Sequence, residues 1–288
     1  MSESEAGQDE SMNDAGGSDS FLRRNPLTSF FFLSFAITWI AVLPLVLSGQ
    51  GIGGISVSED WHFLGAFGPT VAALVMAYVT KGSDGVRNLA ARCVQWRGQA
   101  KWVGVALVLP FVIFSFAAVI DFVVSGTWFN WNQFLLDNQL DDVGSWLLWF
   151  LPVLSYGIFE EIGWRGFALP RLQKKYSALV ATGILTVFWG LWHLPMFFYR
   201  FDYPIPFVMM WFVGLFFGAL LLTFFLNSSD GSLLVVIIWH TGVNIVSRLD
   251  VVTLAAYSSM MMMVLGILLL LRFGWRDFSV GEKYVEDS

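Results

Sequence analysis

Cysteine is almost missing from this chain. Of 288 residues only Cys93 is a cysteine, which excludes an internal disulfide and any cysteine-based zinc cluster. Charge is scarce as well. Charged residues make up 13% of the sequence, against roughly 25% in a soluble globular domain. An ordinary soluble enzyme is therefore excluded, and 22 acidic against 16 basic residues leave no basic face for nucleic acid. No GxSxG and no HExxH occurs, and no internal repeat is evident. Residues 1–20 hold six acids and no Lys or Arg, and they lack the basic and apolar regions of a signal peptide. Residues 1–24 read as a disordered, acidic, cytoplasmic tail. Beyond residue 20 the charges balance.

What the chain has in quantity is apolar sequence. Hydrophobic residues are 56% of the total, and mean hydropathy is +0.65. A helix needs roughly 20 apolar residues to cross a bilayer. Eight stretches meet or approach that length: 27–49, 62–80, 102–124, 145–169, 178–199, 205–227, 231–248 and 251–272. The expected fold is all-α, a polytopic membrane helix bundle of about eight transmembrane helices. The bundle, residues 25–276, ends in a short tail at 277–288. If the N-terminus is cytoplasmic, fourteen of the sixteen Lys and Arg fall on the cytoplasmic side, leaving only Arg200 and Arg248 outside. That asymmetry favours cytoplasmic termini at both ends and a multi-pass protein of the cell membrane. The polar 81–101 segment reads as the longest inner loop, with room for a short interfacial helix and in contact with anionic lipid, and Arg92 and Cys93 fall within it.

Ionisable groups inside hydrocarbon cost several kcal/mol unless they are paired or wet, so the few present mark where chemistry is possible. The fourth stretch carries Phe159-Glu160-Glu161-Ile162-Gly163-Trp164-Arg165, the fifth Trp189-Gly190-Leu191-Trp192-His193, and the seventh His240-Thr241-Gly242-Val243-Asn244. Glu161 and Arg165 are four apart and can pair on one helix face. Glu160 is rotated about 100° away and lacks that partner. His240 and Asn244 again share a face. On helical rise, Glu160 and His240 lie about 14 Å from the inner ends of their helices, and His193 about 22 Å from Ala178. Convergence therefore calls for a later start or a strong tilt of the fifth helix. His62, at the outer edge of the second stretch, reads as an ordinary polar residue.

EExxxR, an aromatic four before a His, and HxxxN, in that order on successive apolar helices, resemble the CAAX-protease and bacteriocin-processing family of intramembrane peptidases. The type II CAAX prenyl endopeptidases belong to that family. Gly68-Pro69 is similar to the family too. Trp189 departs from the Phe more usual at that position, a change expected to affect packing only. The resemblance implies hydrolysis of peptide bonds in membrane-associated substrates, the CAAX branch removing a tripeptide behind a prenylated cysteine.

On the residues alone, a carboxylate and an imidazole activating water is the metal-free route left open. Taken together with the resemblance, this assigns Glu160 as general base, with His193 helping to position or deprotonate the water and His240 and Asn244 as oxyanion donors. Glu161 and Arg165 are assigned to support, and no cofactor is expected. Three other readings stay open. The same Glu160, His193 and His240 make a plausible zinc site with an open position. A non-catalytic membrane adaptor or immunity protein would keep the polar cluster for packing or capture. A transporter would need paired repeats or broken helices.

Overall fold

The computed structural model describes residues 17–201, 204–249 and 252–286. Among them every regular element is helical. A short helix α1 (Gly17–Arg24) precedes α2 (Pro26–Gly49), so the last residues of the expected tail are helical, and residues 1–16 lie outside the described residues. Pro26 at the first turn of α2 gives up no intrahelical hydrogen bond there. There follow α3 (Phe67–Cys93), α4 (Ala100–Ser125), the short α5 (Trp131–Asp137) and α6 (Val143–Glu161). A π-helical turn, Ile162–Ala168, joins α6 to α7 (Leu169–Gln173). The bundle closes with α8 (Ala178–Trp192), α9 (Ile205–Ser228), α10 (Leu233–Arg248) and α11 (Val252–Phe273).

Among the described residues seven helical stretches are long and apolar enough to cross a membrane, and Leu233–Arg248 is a shorter apolar helix. The chain is a multi-pass helical membrane protein. Each of the eight expected stretches is mainly helical. The stretch Phe67–Cys93 is broken at Gly82 (φ 63°), so the span ends near the expected residue 80 and a second, short helix to Cys93 lies within the polar 81–101 segment. On that second helix the charged residues Asp84 and Arg87 pair on the exposed face at 3.1 Å. Helix α8 starts at Ala178, capped by Ser177, so the later start considered for it does not occur. The outer 125–144 segment contains α5, flanked by exposed Trp128 and Trp131.

The helices alternate between two ends. At one end Ala178 N donates to Arg276 O at 2.7 Å, and Gln173 bonds Asn227 at 2.9 Å. The C-terminal segment lies across this end. Glu286 pairs with Arg171 at 2.5 Å and Lys81 at 3.4 Å, and Tyr284 packs under the Arg92 guanidinium. The segment Gly163–Pro170 above it is wholly buried. We call this the closed end. At the opposite end, called the open end, Gln50 Nε2 donates to Phe198 O at 2.7 Å and Arg248 Nη1 to Trp149 O at 2.8 Å.

Two close approaches set the depth of α6. A Cβ on Gly163 would lie 2.4 Å from Pro69 Cβ, and one on Gly157 would lie 2.1 Å from Thr241 Oγ1. Thr70 Oγ1, beside Pro69, donates to Phe159 O at 2.5 Å. The Gly68-Pro69-Thr70 start of α3 is thus pressed onto the Glu160-bearing helix from one side, and α10 from the other. Gly163→Ala is expected to cost about 1–3 kcal/mol through overpacking. Thermal unfolding in detergent checks this, and an unchanged melting temperature would contradict the tight contact.

Candidate functional site

Three helices supply the polar groups buried in the bundle. Glu160 and Glu161 end α6, at 4% and 0% exposure, and Arg165 lies in the π turn at 0%. His193 caps the C-terminus of α8, and His240 and Asn244 lie on α10. π turns recur at functional sites because the extra residue re-aims side chains along an otherwise regular helix. Here the turn follows directly on Glu161 and still lets Arg165 reach back to it.

The two carboxylates have different partners. Glu161 Oε1 accepts from Arg165 Nη1 at 3.0 Å and from His240 Nδ1 at 2.7 Å. Glu160 Oε2 accepts from Trp189 Nε1 at 2.6 Å. The expected Glu161–Arg165 pair is present, with His240 added to it. Trp189 is more than packing, which corrects the sequence expectation. Its indole donates to Glu160, and its ring lies 5.7 Å from that of His193 and 5.8 Å from that of His240. The Arg165 guanidinium stacks over the same ring at 4.2 Å, where the π face is a good partner for a desolvated cation. A phenylalanine would fill the space and leave Glu160 without that donor.

Trp189 also resolves the depth of His193. The Glu160–Trp189 bond sets that level of α8 beside Glu160, and His193 is one turn further on, about 6 Å toward the open end. It stays in place because α2 grips the residue before it. Trp192 Nε1 donates to Thr38 Oγ1 at 2.8 Å, and Trp39 Nε1 donates to Trp192 O at 3.1 Å. His193 sits between the rings of Trp192 and Trp211.

Hydrogen bonding fixes the tautomers of both imidazoles. His193 Nδ1 faces Trp189 O at 2.7 Å and His240 Nδ1 faces a carboxylate. Both partners only accept, so both Nδ1 atoms carry hydrogen and Nε2 is the reactive nitrogen in each ring. Glu160 Oε1, His193 Nε2 and His240 Nε2 have no partner among the described residues. They are nonetheless not among the side-chain atoms sealed from solvent. Asn244 makes no hydrogen bond either, and it is half-buried. These unpartnered atoms therefore face an accessible space, while Glu161 Oε2 and Arg165 Nε and Nη2 are sealed behind them.

Among the described residues no three of His, Cys, Asp and Glu are grouped to hold a metal ion. Glu161 and His240 are engaged with each other, and the Trp189 ring contacts both imidazoles.

Arg92 is the residue that sequence reading placed in a loop and missed. It is buried at 4% exposure. Its Nε donates to Gly231 O at 2.8 Å and its Nη1 to Gly166 O at 2.9 Å, with a longer 3.5 Å contact from Nη2 to Arg165 O. Arg92 thereby ties the π turn of the carboxylate helix to the loop that starts α10. Arg92→Ala is expected to lose about 1–3 kcal/mol for each strong bond left unmade. Arg92→Lys should recover only part, since an ammonium lacks the fork. Thermal unfolding of both variants tests this, and equal melting of Arg92→Ala and wild type would contradict it.

Fold and site together define a multi-pass helical membrane protein with a carboxylate–imidazole centre buried in the bundle. Residues 142–246 match the family model described as type II CAAX prenyl endopeptidase, Rce1-like. Over 115 residues the chain is 33% identical to CAAX prenyl protease 2 of Methanococcus maripaludis, covering 36% of this chain and 42% of that relative. The chain thus aligns with less than half the length of the curated relative it matches. The matched segment holds all six site residues.

Proposed function

We propose that the protein is an intramembrane endopeptidase of CAAX type, hydrolysing a peptide bond in membrane-associated protein or peptide substrates. The observation that carries this is the division of labour between adjacent carboxylates. Glu161 is committed to Arg165 and His240, whereas Glu160 keeps Oε1 free toward the accessible side. An adaptor would have no need of that unspent acceptor.

The chemistry follows from the tautomers. A water donating to Glu160 Oε1 and His193 Nε2 is held with a lone pair directed outward, and proton transfer to Glu160 makes it a nucleophile. Attack on the scissile carbonyl builds an oxyanion. His240, protonated on Nε2 with the Glu161 carboxylate behind its Nδ1, donates to that oxyanion together with the Asn244 carboxamide. Each such donor is typically worth about 2.7–4 kcal/mol. Glu160 then returns its proton to the leaving amine, so the cycle balances without a metal.

The substrate chemistry proposed is a C-terminal peptide held at the membrane by an apolar anchor, with a prenylated cysteine as the leading case. The anchor stays in lipid while the peptide enters the site. Purified protein in detergent should cleave a farnesylated C-terminal peptide, and a strong chelator should leave the rate unchanged. Loss of activity in chelator with recovery on adding zinc would replace this mechanism by the metal-dependent one.

A further inference from the structure

Water activation needs Glu160 and His193 held in register, and they stand on different helices. The carboxylate is near the end of α6 and the imidazole caps α8. Trp189 bonds both, through two different atoms. Its Nε1 donates to Glu160 Oε2 at 2.6 Å, and its carbonyl oxygen accepts from His193 Nδ1 at 2.7 Å.

The carbonyl is available because α8 tightens as it ends. A regular α-helix would give Trp189 O to the His193 N–H, four residues on. That N–H turns instead to Gly190 O at 3.1 Å, a bond of the 3-10 kind. The imidazole of the same residue takes the released carbonyl, as side chains do for the last carbonyls of a helix.

The indole is fixed from its other sides. It is buried at 5% exposure. The Arg165 guanidinium lies 4.2 Å from the centre of its ring, and that guanidinium is tied at 3.0 Å to Glu161. Glu160 has no other hydrogen-bond partner among the described residues. Without the indole its carboxylate is free to turn about its last torsion, which has broad, twofold wells, and its two oxygens become equivalent. With the indole, Oε2 is engaged and Oε1 is the oxygen left to face water.

We propose that Trp189 is a positioning residue for the peptidase reaction, a brace whose N–H sets Glu160 Oε1, and whose carbonyl sets His193 Nε2, toward the same water. The inference rests on the peptidase reading above, and its test separates the two.

The first experiment removes the N–H and keeps the ring. 3-Benzothienylalanine, with sulfur where indole has N–H, is incorporated at position 189, and Trp189→Phe is a second variant. On a farnesylated C-terminal peptide in detergent, both should lower kcat at least about tenfold, the scale of a hydrogen bond to a charged group. The benzothienyl protein should keep the wild-type KM and melting temperature, because its shape and ring stacking are preserved. Wild-type kcat in that protein overturns the brace, and so does a loss that lies wholly in KM. A second measurement needs no cleavage. The indole N–H proton resonance of Trp189, identified by its absence in either variant, should move upfield in Glu160→Gln, because a carboxamide oxygen is a weaker acceptor than a carboxylate. An unmoved resonance overturns the brace whatever the cleavage result. A moved resonance in a protein that cleaves no peptide upholds the hold of Trp189 on Glu160 and rejects the peptidase reading.

Discussion

Glu160→Gln is expected to lower kcat by about a thousandfold, the middle of the range for losing a general base, while the protein folds normally. The carboxamide has the shape of the carboxylate, and its oxygen still accepts from Trp189 Nε1, the one hydrogen-bond partner Glu160 has among the described residues. What it cannot do is take a proton from water. Substrate affinity should stay within a few-fold, because Glu160 acts on the water and not on the peptide. The reading is a split between kcat and KM at equal melting temperature. A Glu160→Gln enzyme with wild-type turnover would remove this residue from the mechanism.

The second large effect is on stability. Arg165 and Glu161 are both at 0% exposure and bonded at 3.0 Å. Removing one member of a buried pair leaves the other charged and unsolvated, at a cost of about 3–5 kcal/mol. Arg165→Met should therefore lower the melting temperature sharply, and His240 alone should not hold Glu161 as well. The double variant Glu161→Gln with Arg165→Met should regain much of the lost stability, since neither charge is then stranded. It should not regain activity, because His240 loses the carboxylate behind its imidazole. A single Arg165→Met protein that melts like wild type would show that the pair carries no structural weight.

Much of this was readable in the sequence. Spans of about twenty apolar residues declare themselves, and hydrocarbon makes each intramembrane Glu, Arg and His conspicuous. What escaped reading depended on contacts distant in sequence. Trp189 looks like one more aromatic in an apolar run, and only the packing of α8 on α6 puts its N–H against Glu160. Arg92 sits among Arg87, Arg97 and Lys101, a pattern that reads as a solvated loop, and only its burial against Gly166 and Gly231 sets it apart. The docking of Glu286 on Lys81 and Arg171 joins segments more than a hundred residues apart.

The structure also sharpens the question of orientation. Lys81, Arg92, Arg171 and Arg276 gather at the closed end, while the approach to the site lies at the end of His62, Arg200 and Arg248. Counting cations turns the open end away from the cytoplasm. A prenylated cytoplasmic substrate needs it turned the other way, or needs entry sideways from the lipid. Which end faces the cytoplasm thus decides between that substrate and other membrane-proximal peptides.

The central claim is that Glu160 hydrolyses peptide bonds at the membrane. Its most direct test compares protein termini in membranes of cells carrying wild type and Glu160→Gln at matched expression. The account predicts a defined set of new C-termini in wild type that disappears in the variant, the lost ends naming the substrates. Identical profiles, with the biological effect of the protein intact in the variant, would contradict the account and leave the adaptor reading in its place.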